Sequence, residues 1–504
     1  MFVNPLPARL LLATALALLP LAALAQKAPA AARSARPASA SALPPAVAKA
    51  LTRAQVPVDA VTLLVVDASG KQPPRLAHRA AEAMNPASVM KLVTTYAALD
   101  LLGPDFVWTT RVLMDGQVAD GVLHGNLIVR GGGDPKMVVE RLQALLAQVQ
   151  YAGVKVVRGD IVLDRSAFQA SAQDAGEFDG EPLRPYNASP DALLINFKSL
   201  VMRFTPDPLN NRALVAVEPP LAGIVIDESV PLARVARCGD WRSELRASVD
   251  NPNRLQFTGS YSAACGERVW PSAYADPPSF AARAIEGSWR AMGGLLTGTV
   301  RDASPGELAV LRARGTLSGE KAPLRLDAPS LPLREIVRDV NKFSNNVMAR
   351  HLFLSLSRPG PGGQLEQASP ETGRAALAAW WKKSLPQQAA PVMDNGSGLS
   401  RIERVTANGL AAMLQHAASS RVAQDLLDSL PVAGMDATMR ERAKNVAGQA
   451  FIKTGSLRDV TAVAGYANGA SGARYIVVGI VNHPNAGAAR PALDALIQWA
   501  VQER

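Results

Sequence analysis

The hydrophobic pattern predicts one strand and one long helix near the start of the folded chain. Residues 61–66 form a mostly apolar run that ends in the turn-forming residues 67–71, which is typical of a strand and a hairpin turn. From about residue 88 to residue 102 the apolar side chains recur with helical spacing, and Gly103 and Pro104 end that pattern.

The pattern changes between residues 105 and 304, where short strands and Gly-rich turns predominate. We predict strands at 127–130, 154–157 and 161–163, with an amphipathic helix at 136–149 between the first two. Residues 195–270 are mainly β in character. This stretch is typical of inserted material rather than of a catalytic core.

The last third of the chain is helical and then forms strands. Helices are predicted at 333–350 with an interruption near 342–344, at 375–383 and at 409–418. Three apolar strands follow at 450–453, 463–466 and 475–481, and a helix closes the chain at 490–501. Successive strands with short turns and a terminal helix indicate an α+β fold, in which helices pack on an antiparallel sheet.

The N-terminus has the pattern of a secretory signal peptide. Arg9 precedes an apolar run of about 15 residues that ends in Ala23-Leu24-Ala25, a small-x-small cleavage pattern. A membrane anchor is the alternative, but a span needs about 20 apolar residues, so we predict no stable anchor. We therefore assign residues 1–25 to a signal peptide and residues 26–45, rich in Ala, Pro and Ser, to a flexible leader.

Export to an oxidising compartment affects how the net charge and the two cysteines are interpreted. The formal net charge of +10 suits a protein that works among anionic polymers, and export favours the cell wall over nucleic acid as the partner. Cys238 and Cys265 are predicted to pair, because no His cluster accompanies them as a metal or catalytic thiol site would require.

The first candidate for chemistry is Ser88-Val89-Met90-Lys91. Residues three positions apart share one face of a helix, so a lysine amine with a lowered pKa could take the serine proton. Alone the pattern is weak, because Ser-x-x-Lys is expected by chance about twice in a chain of this length. A second copy, Ser318 to Lys321, lies in a polar turn with no apolar helix behind it.

Two further motifs follow Ser88 and Lys91 in the chain, first at Ser344 and then at Lys453. Lys453, Thr454, Gly455 and Ser456 continue a predicted strand, where an ammonium and a hydroxyl can hold a carboxylate and a glycine lets a substrate backbone lie close. Ser344 and Asn346 lie in a helical segment and offer a proton-relaying hydroxyl and a peptide-binding amide. The conjunction of the three motifs is the signature of β-lactamases and penicillin-binding proteins.

Other site types fit the sequence poorly. Gly131-Gly132-Gly133 lacks the spacing of a dinucleotide loop, the five histidines are scattered with no H-E-x-x-H motif, and no serine lies in a G-x-S-x-G elbow. We therefore predict no cofactor and no metal. The loop at 394–400 is either an ordinary Gly-rich loop or a segment that shapes the site.

The chain resembles the low-molecular-mass class C penicillin-binding proteins, the D-alanyl-D-alanine carboxypeptidase/endopeptidases. Besides the three motifs, the resemblance rests on the segments at 131–135, 338–346, 394–400 and 430–436. About 256 positions separate Ser88 from Ser344, and the family inserts two domains there. The resemblance implies a penicillin-binding catalytic domain at 46–104 and 305–504, one inserted domain at 105–194 and 271–304, and a second at 195–270.

The resemblance also implies roles and partners. Ser88 would be the nucleophile, Lys91 its base and Ser344 a proton relay. Asn346, Lys453 and Thr454 would bind the substrate, and the N–H groups of Ser88 and Ser456 would form an oxyanion hole. The partners would be peptidoglycan stem peptides and cross-links, with β-lactam antibiotics as covalent inhibitors, in the periplasm or at the cell wall.

Two alternatives stay open at the level of sequence. A class A β-lactamase shares the three motifs but also needs a glutamate for deacylation, and Glu403 lies in the right region without the expected context. A non-catalytic peptidoglycan-binding scaffold would not need all of these polar residues. The sequence does not separate carboxypeptidase from endopeptidase activity.

Overall fold

The structure is a computed structural model that describes residues 43–170, 174–234, 237–320, 322–357 and 367–502. The predicted signal peptide, most of the predicted leader and Lys321 lie outside the described residues. The helices, numbered in chain order, are α1 Pro45–Arg53, α2 Lys91–Leu102, α3 Val139–Tyr151, α4 Trp241–Glu244, α5 Phe280–Ala291, α6 Pro305–Ala313, α7 Leu333–Phe343, α8 Asn346–Ser355, α9 Pro370–Ser384, α10 Ala407–Ala418, α11 Ala423–Ser429 and α12 Arg490–Gln502.

The strands are numbered in the same way. They are β1 Val61–Asp67, β2 Leu76–His78, β3 Ala83–Met84, β4 Thr109–Ala119, β5 Val122–Arg130, β6 Val156–Val157, β7 Ile161–Asp164, β8 Ser199–Asp207, β9 Arg212–Glu218, β10 Val225–Ile226, β11 Ser229–Pro231, β12 Leu245–Ser248, β13 Arg254–Gly259, β14 Arg268–Ala273, β15 Leu295–Leu296, β16 Val300–Asp302, β17 Arg325–Pro329, β18 Val405–Thr406, β19 Ala450–Leu457, β20 Val460–Asn468 and β21 Arg474–Asn482. Within the described ranges, no helix combines the length and the apolar character that a membrane crossing requires.

A five-stranded antiparallel sheet forms the centre of the molecule. Its strand order is β19-β20-β21-β1-β2, which confirms the predicted run of three late strands as neighbours in one sheet. Strand β1 pairs with β21 along its whole length, from Val61 opposite Val481 to Asp67 opposite Tyr475. This pairing joins the start and the end of the described chain, and it closes the α+β fold around everything inserted between them.

Helices cover both faces of this sheet. Leu63 and Val65 point to the side of α1 and α12, whereas Leu64 and Val66 belong to the core on the side of α2, α8 and α10. Side chains of a strand alternate between faces, and here both faces are apolar because both are buried.

Helix α2 runs through the middle of the larger core. Every residue from Lys91 to Leu99 is buried, so the helix is enclosed on all sides except in its last turn. The predicted helix start at Ser88 is three residues early, because Ser88 lies in the 3₁₀ turn Ala87–Met90 that leads into α2. Ala87 has a φ of 47°, in the left-handed region, and this ends helical geometry on the N-terminal side of the serine.

The region between the catalytic segments forms separate sheets. Strands β4–β7 and β15–β17 make a seven-stranded mixed sheet, on which α3 and α5 pack through one apolar cluster. Strands β8, β9, β11 and β14 form a second sheet, and β10, β12 and β13 form a third. The mainly β character predicted for residues 195–270 is therefore observed.

The sequence assigned residues from 305 onward to the catalytic domain, but the first part of this range packs on the mixed sheet. Strand β17 pairs with β4, and Leu308 and Leu311 of α6 pack against Leu113 and Ile128 of the mixed sheet. The apolar face of α6 is thus buried on the inserted sheet, and the helices around α2 resume only with α7. Local helical periodicity could not reveal which core the helix joins.

Cys238 and Cys265 form a disulfide, as predicted from their number and the export signal. The buried Cys265 belongs to a small cluster with Phe204, Leu245 and Tyr261. A core of this size buries little apolar surface, so the cross-link contributes a large share of its stability.

Replacing both cysteines by serine removes a cross-link between positions separated by 27 residues. We expect the unfolding free energy of this β region to fall by about 3 kcal/mol, because the unfolded chain regains loop entropy. Urea unfolding followed by tryptophan fluorescence measures the change, since Trp241 and Trp270 are in contact beside the cluster. Wild-type protein under reducing conditions loses the same cross-link and should unfold like the double variant. An unchanged urea midpoint in the double variant would contradict the prediction.

Candidate active site

The turn that carries Ser88 is held by a single asparagine. Asn85 Oδ1 accepts a hydrogen bond from the Ala87 N–H at 2.9 Å, and Asn85 Nδ2 donates to the Ser400 carbonyl at 2.9 Å. Asn482 Oδ1 accepts from the Asn85 N–H at 2.9 Å. These contacts fix the half-buried Ser88 one turn before the first residue of α2.

Lys91 has three polar partners, and their chemistry differs. Its Nζ lies 2.9 Å from Ser88 Oγ and 2.7 Å from Asn346 Oδ1, and it also donates to the Ser397 carbonyl. Two of these partners are pure acceptors, whereas the serine hydroxyl can donate. A neutral amine, with two N–H groups and one lone pair, satisfies all three and directs its lone pair to Ser88.

Burial and neighbouring charge favour that neutral amine. Lys91 is fully buried, and loss of hydration lowers its pKa well below the ordinary lysine value. The positive charges of Lys453 and Arg350 lower this pKa further, whereas the charge of Glu403 raises it. The lowered lysine pKa that the Ser-x-x-Lys motif requires thus has identifiable causes in Lys453 and Arg350 as well as in burial.

Lys453 and Ser344 meet on the other side of the site. Lys453 Nζ donates to Ser344 Oγ at 2.9 Å and to the Thr454 carbonyl at 2.8 Å. Burial lowers the pKa of Lys453 to about 7. Thr454 Oγ1 lies 3.0 Å from Thr438 Oγ1, and this hydrogen bond between two hydroxyls holds the Thr454 side chain beside the lysine.

Ser344 and Asn346 lie where two helices break. Ser344 has a φ of 56° and ends α7, while Asn345 caps α8 by accepting from the Met348 N–H at 3.0 Å. Asn346 therefore begins α8, and its Nδ2 donates to the Tyr186 carbonyl at 3.2 Å. Tyr186 belongs to the inserted region, and no pattern in the sequence pointed to this contact.

Gly455 makes a close backbone contact that the sequence did not predict. A Cβ at this position would lie 2.4 Å from the Pro86 carbonyl oxygen and 3.0 Å from the Ser88 nitrogen. The glycine therefore allows β19 to lie against the Ser88 turn itself, rather than only against a substrate backbone. The neighbouring Ser456 is exposed at the edge of the site.

The loop at 394–400 contacts the site directly. The Ser397 carbonyl faces Lys91, and the Gly396 carbonyl accepts from Thr94 Oγ1 of α2 at 2.7 Å. Glu403 is fully buried beneath the loop, and its Oε1 accepts the N–H groups of Asp394, Asn395 and Gly396. The sequence located the loop and noted Glu403, but it did not connect the two.

The segment of three glycines at 131–133 and the following Asp134 contact other parts of the protein. The Gly133 carbonyl is 3.1 Å from His351 Nδ1, and the buried Asp134 forms an ion pair with the partly exposed Arg141 at 2.6 Å. In the part of the chain that the structure describes, no cluster of three or more His, Cys, Asp or Glu side chains could hold a metal ion.

Comparison with known proteins gives this geometry a family. A model described as the D-Ala-D-Ala carboxypeptidase 3 (S13) family matches residues 43–503. The chain is 26% identical over 412 residues to the D-alanyl-D-alanine carboxypeptidase DacB of Haemophilus influenzae, covering 79% of this chain and 80% of that protein. It is 28% identical over 435 residues to the D-alanyl-D-alanine carboxypeptidase of Actinomadura sp. strain R39, covering 84% and 77%.

The fold agrees with the family assignment. The crystal structure of penicillin binding protein 4 (dacB) from Haemophilus influenzae aligns with a TM-score of 0.67 at 24% identity, covering 90% of this chain and 99% of that one. The predatory endopeptidase Bd0816 of Bdellovibrio bacteriovorus aligns with a TM-score of 0.52 at 16% identity, covering 88% and 94%. With a family match over nearly the whole described chain, the protein belongs to the D-Ala-D-Ala carboxypeptidase 3 (S13) family and is a serine-type D-Ala-D-Ala carboxypeptidase.

Proposed function

We propose that Ser88 is the nucleophile of this DD-peptidase and that Lys91 is its general base. The observation that carries the proposal is the set of partners of Lys91 Nζ, namely two carbonyl oxygens and the Ser88 hydroxyl. The amine takes the Ser88 proton while the oxygen attacks the carbonyl carbon of the penultimate D-alanine. An ester forms between the serine and the substrate.

The leaving amine needs a proton as the peptide bond breaks. Ser344 Oγ lies 2.9 Å from Lys453 Nζ, so its hydroxyl can pass a proton to the leaving nitrogen and recover one from the lysine. Water then attacks the ester carbon, and the proton that the water loses replaces the one given up by Lys453. Lys91 returns its proton to the departing Ser88 oxygen, which releases the shortened stem peptide. This cycle needs no residue beyond the three motifs and no cofactor.

The substrate is held at three points. The ammonium of Lys453 and the hydroxyl of Thr454 bind the terminal carboxylate, and Asn346 Nδ2 binds a substrate carbonyl with its second hydrogen. The first hydrogen goes to Tyr186 and the amide oxygen faces Lys91, so the orientation of the Asn346 amide is fixed. The N–H groups of Ser88 and Ser456 form the oxyanion hole, each worth about 3 kcal/mol in the transition state.

The setting proposed for this reaction is the bacterial cell wall outside the cytoplasm. The N-terminal signal pattern supports export to the periplasm, and the net charge of +10 suits a substrate network with many carboxylates. The substrates are stem peptides and cross-links that end in D-alanyl bonds. β-Lactams acylate the same serine, which agrees with the solved β-lactam complex of the Haemophilus influenzae relative.

Ser88→Ala should abolish both labelling by a fluorescent penicillin and release of D-alanine from a pentapeptide ending in D-Ala-D-Ala. Lys91→Ala should slow acylation on the order of 10³-fold or more, because the hydroxyl loses its base. Peptide mass mapping of the labelled protein identifies the modified residue. Ser318→Ala, in the second Ser-x-x-Lys copy, is the matched control and should label like the wild type.

A Ser88→Ala protein that still carries the label would place the nucleophile elsewhere. Near-normal acylation of Lys91→Ala would remove the lysine from the role of base. In parallel, purified sacculi show whether free D-alanine or cleaved cross-links predominate among the Ser88-dependent products.

The acylation rate should depend on pH with two limbs. It falls at low pH as Lys91 becomes protonated, and it falls above about 7 as Lys453 loses the charge that attracts the carboxylate. Lys453→Arg keeps its charge at high pH, so we expect the alkaline limb to move up by more than about one unit. The rate at the optimum should fall, because a guanidinium does not resupply Ser344 with a proton. Stopped-flow measurement of the second-order acylation rate follows both limbs.

Lys155→Arg, at an exposed position in the inserted region, is the control for the substitution itself. Its profile should match the wild type. An alkaline limb that stays in place in Lys453→Arg would show that another group titrates there.

A further inference from the structure

Glu403 is a buried acid that the reaction does not use directly. Its side chain is fully buried, and one oxygen, Oε1, accepts three backbone N–H groups, from Asp394 and Asn395 at 3.1 Å and from Gly396 at 2.9 Å. The same short segment continues to Ser397, whose carbonyl faces Lys91. A single carboxyl group thus fixes the backbone that contacts the catalytic lysine.

The charges around Glu403 come from several elements. Lys91 lies on α2, Arg350 on α8 and Asp394 on the loop itself, while Lys453 on β19 acts in turn on Lys91. Among the described residues, the second oxygen, Oε2, and the buried Nε of Arg350 have no hydrogen-bond partner. Glu403 is therefore the one fully buried acid among three buried basic side chains of the described site.

We propose that Glu403 is a positioning residue for Lys91, acting as a buried carboxylate that holds the loop beneath the amine and balances the surrounding positive charge. This inference rests on the proposed roles of Ser88 and Lys91. Its two parts are separable, because one depends on the reach of the side chain and the other on its charge.

The hydrogen bonds indicate the ionised form. Three N–H groups on one oxygen stabilise a carboxylate, whereas a protonated Oε2 would be an O–H donor with no acceptor among the described residues. Burial and the negative charge of Asp394 oppose this by raising the pKa of the carboxyl, whereas the three backbone N–H groups lower it. Glu403 in turn favours the charged forms of Arg350 and Lys91, so its attraction to these two groups also favours the carboxylate. An ionised Glu403 raises the pKa of Lys91, so it limits how far burial can lower the basicity of the amine.

Glu403→Gln separates charge from reach, since Gln keeps an oxygen that can accept the three N–H groups. With the negative charge gone, the pKa of Lys91 falls, and the acid limb of acylation should move to lower pH by about one unit. Acylation by fluorescent penicillin at the optimum should stay within about tenfold of the wild type. The readout is the full pH profile of the acylation rate, which a purely structural residue would not shift.

Glu403→Asp makes the opposite change, because it keeps the charge but is one methylene shorter. We expect its acid limb to stay near the wild-type position and its rate to fall about tenfold or more as the loop loses its anchor. Glu140→Gln, an exposed glutamate in the first turn of α3, is the matched control and should leave the profile unchanged. Circular dichroism and thermal unfolding verify that each variant is folded.

An acid limb that does not move in Glu403→Gln would overturn the charge part, and a wild-type rate in Glu403→Asp would overturn the positioning part. If Glu403→Gln does not fold, the position of the acid limb in Glu403→Asp decides the charge part, and a displaced limb counts against it. Failure of the proposed function is distinguishable from failure of the Glu403 inference, because the wild type would then not be labelled at Ser88.

Discussion

The site depends on keeping one lysine amine out of water and within reach of one hydroxyl. Lys91 Nζ is enclosed by Ser88 Oγ, the Asn346 amide oxygen and the Ser397 carbonyl. An ammonium in that position would have no solvent shell and would face two further buried basic groups, Lys453 and Arg350. In the proposed mechanism, burial and charge repulsion thus give the protein a base at neutral pH without a histidine.

The fold explains how four segments that are distant in sequence meet near this amine. They contain Ser88, Asn346, Ser397 and Lys453. Pairing of β1 with β21 brings the N-terminal and C-terminal parts of the chain together, and Gly455 lets β19 lie directly against the Ser88 turn. The helix break at Ser344 places its hydroxyl, the proposed proton relay, 2.9 Å from Lys453 Nζ. The inserted region is not isolated from this arrangement, because the Tyr186 carbonyl holds the amide of Asn346. A change in the inserted region can thus reach the site through one hydrogen bond.

Much of this could be predicted from the sequence, because its signals are local. The spacing of Ser88 and Lys91 predicted one shared helix face, although Ser88 lies in the 3₁₀ turn before the helix, and the late apolar runs predicted the strands of the central sheet. The sequence did not identify Tyr186 or the link from Glu403 to the loop, since those contacts join residues far apart or in irregular backbone. The same limit affected α6, whose apolar face joins the inserted sheet rather than the catalytic core. The reason given for Gly455 was incomplete, because the close backbone at Pro86 comes from another segment.

The central claim concerns the protonation of Lys91, and it can be measured directly. Protein labelled with ¹³C at lysine Cε gives an NMR titration curve for each amine, and the Lys91 resonance is assigned by its absence in Lys91→Ala. The account predicts a midpoint well below the ordinary lysine pKa of about 10.4. A Lys91 amine that titrates at the ordinary value would contradict it, because the site would then hold an ammonium with no lone pair for the Ser88 proton.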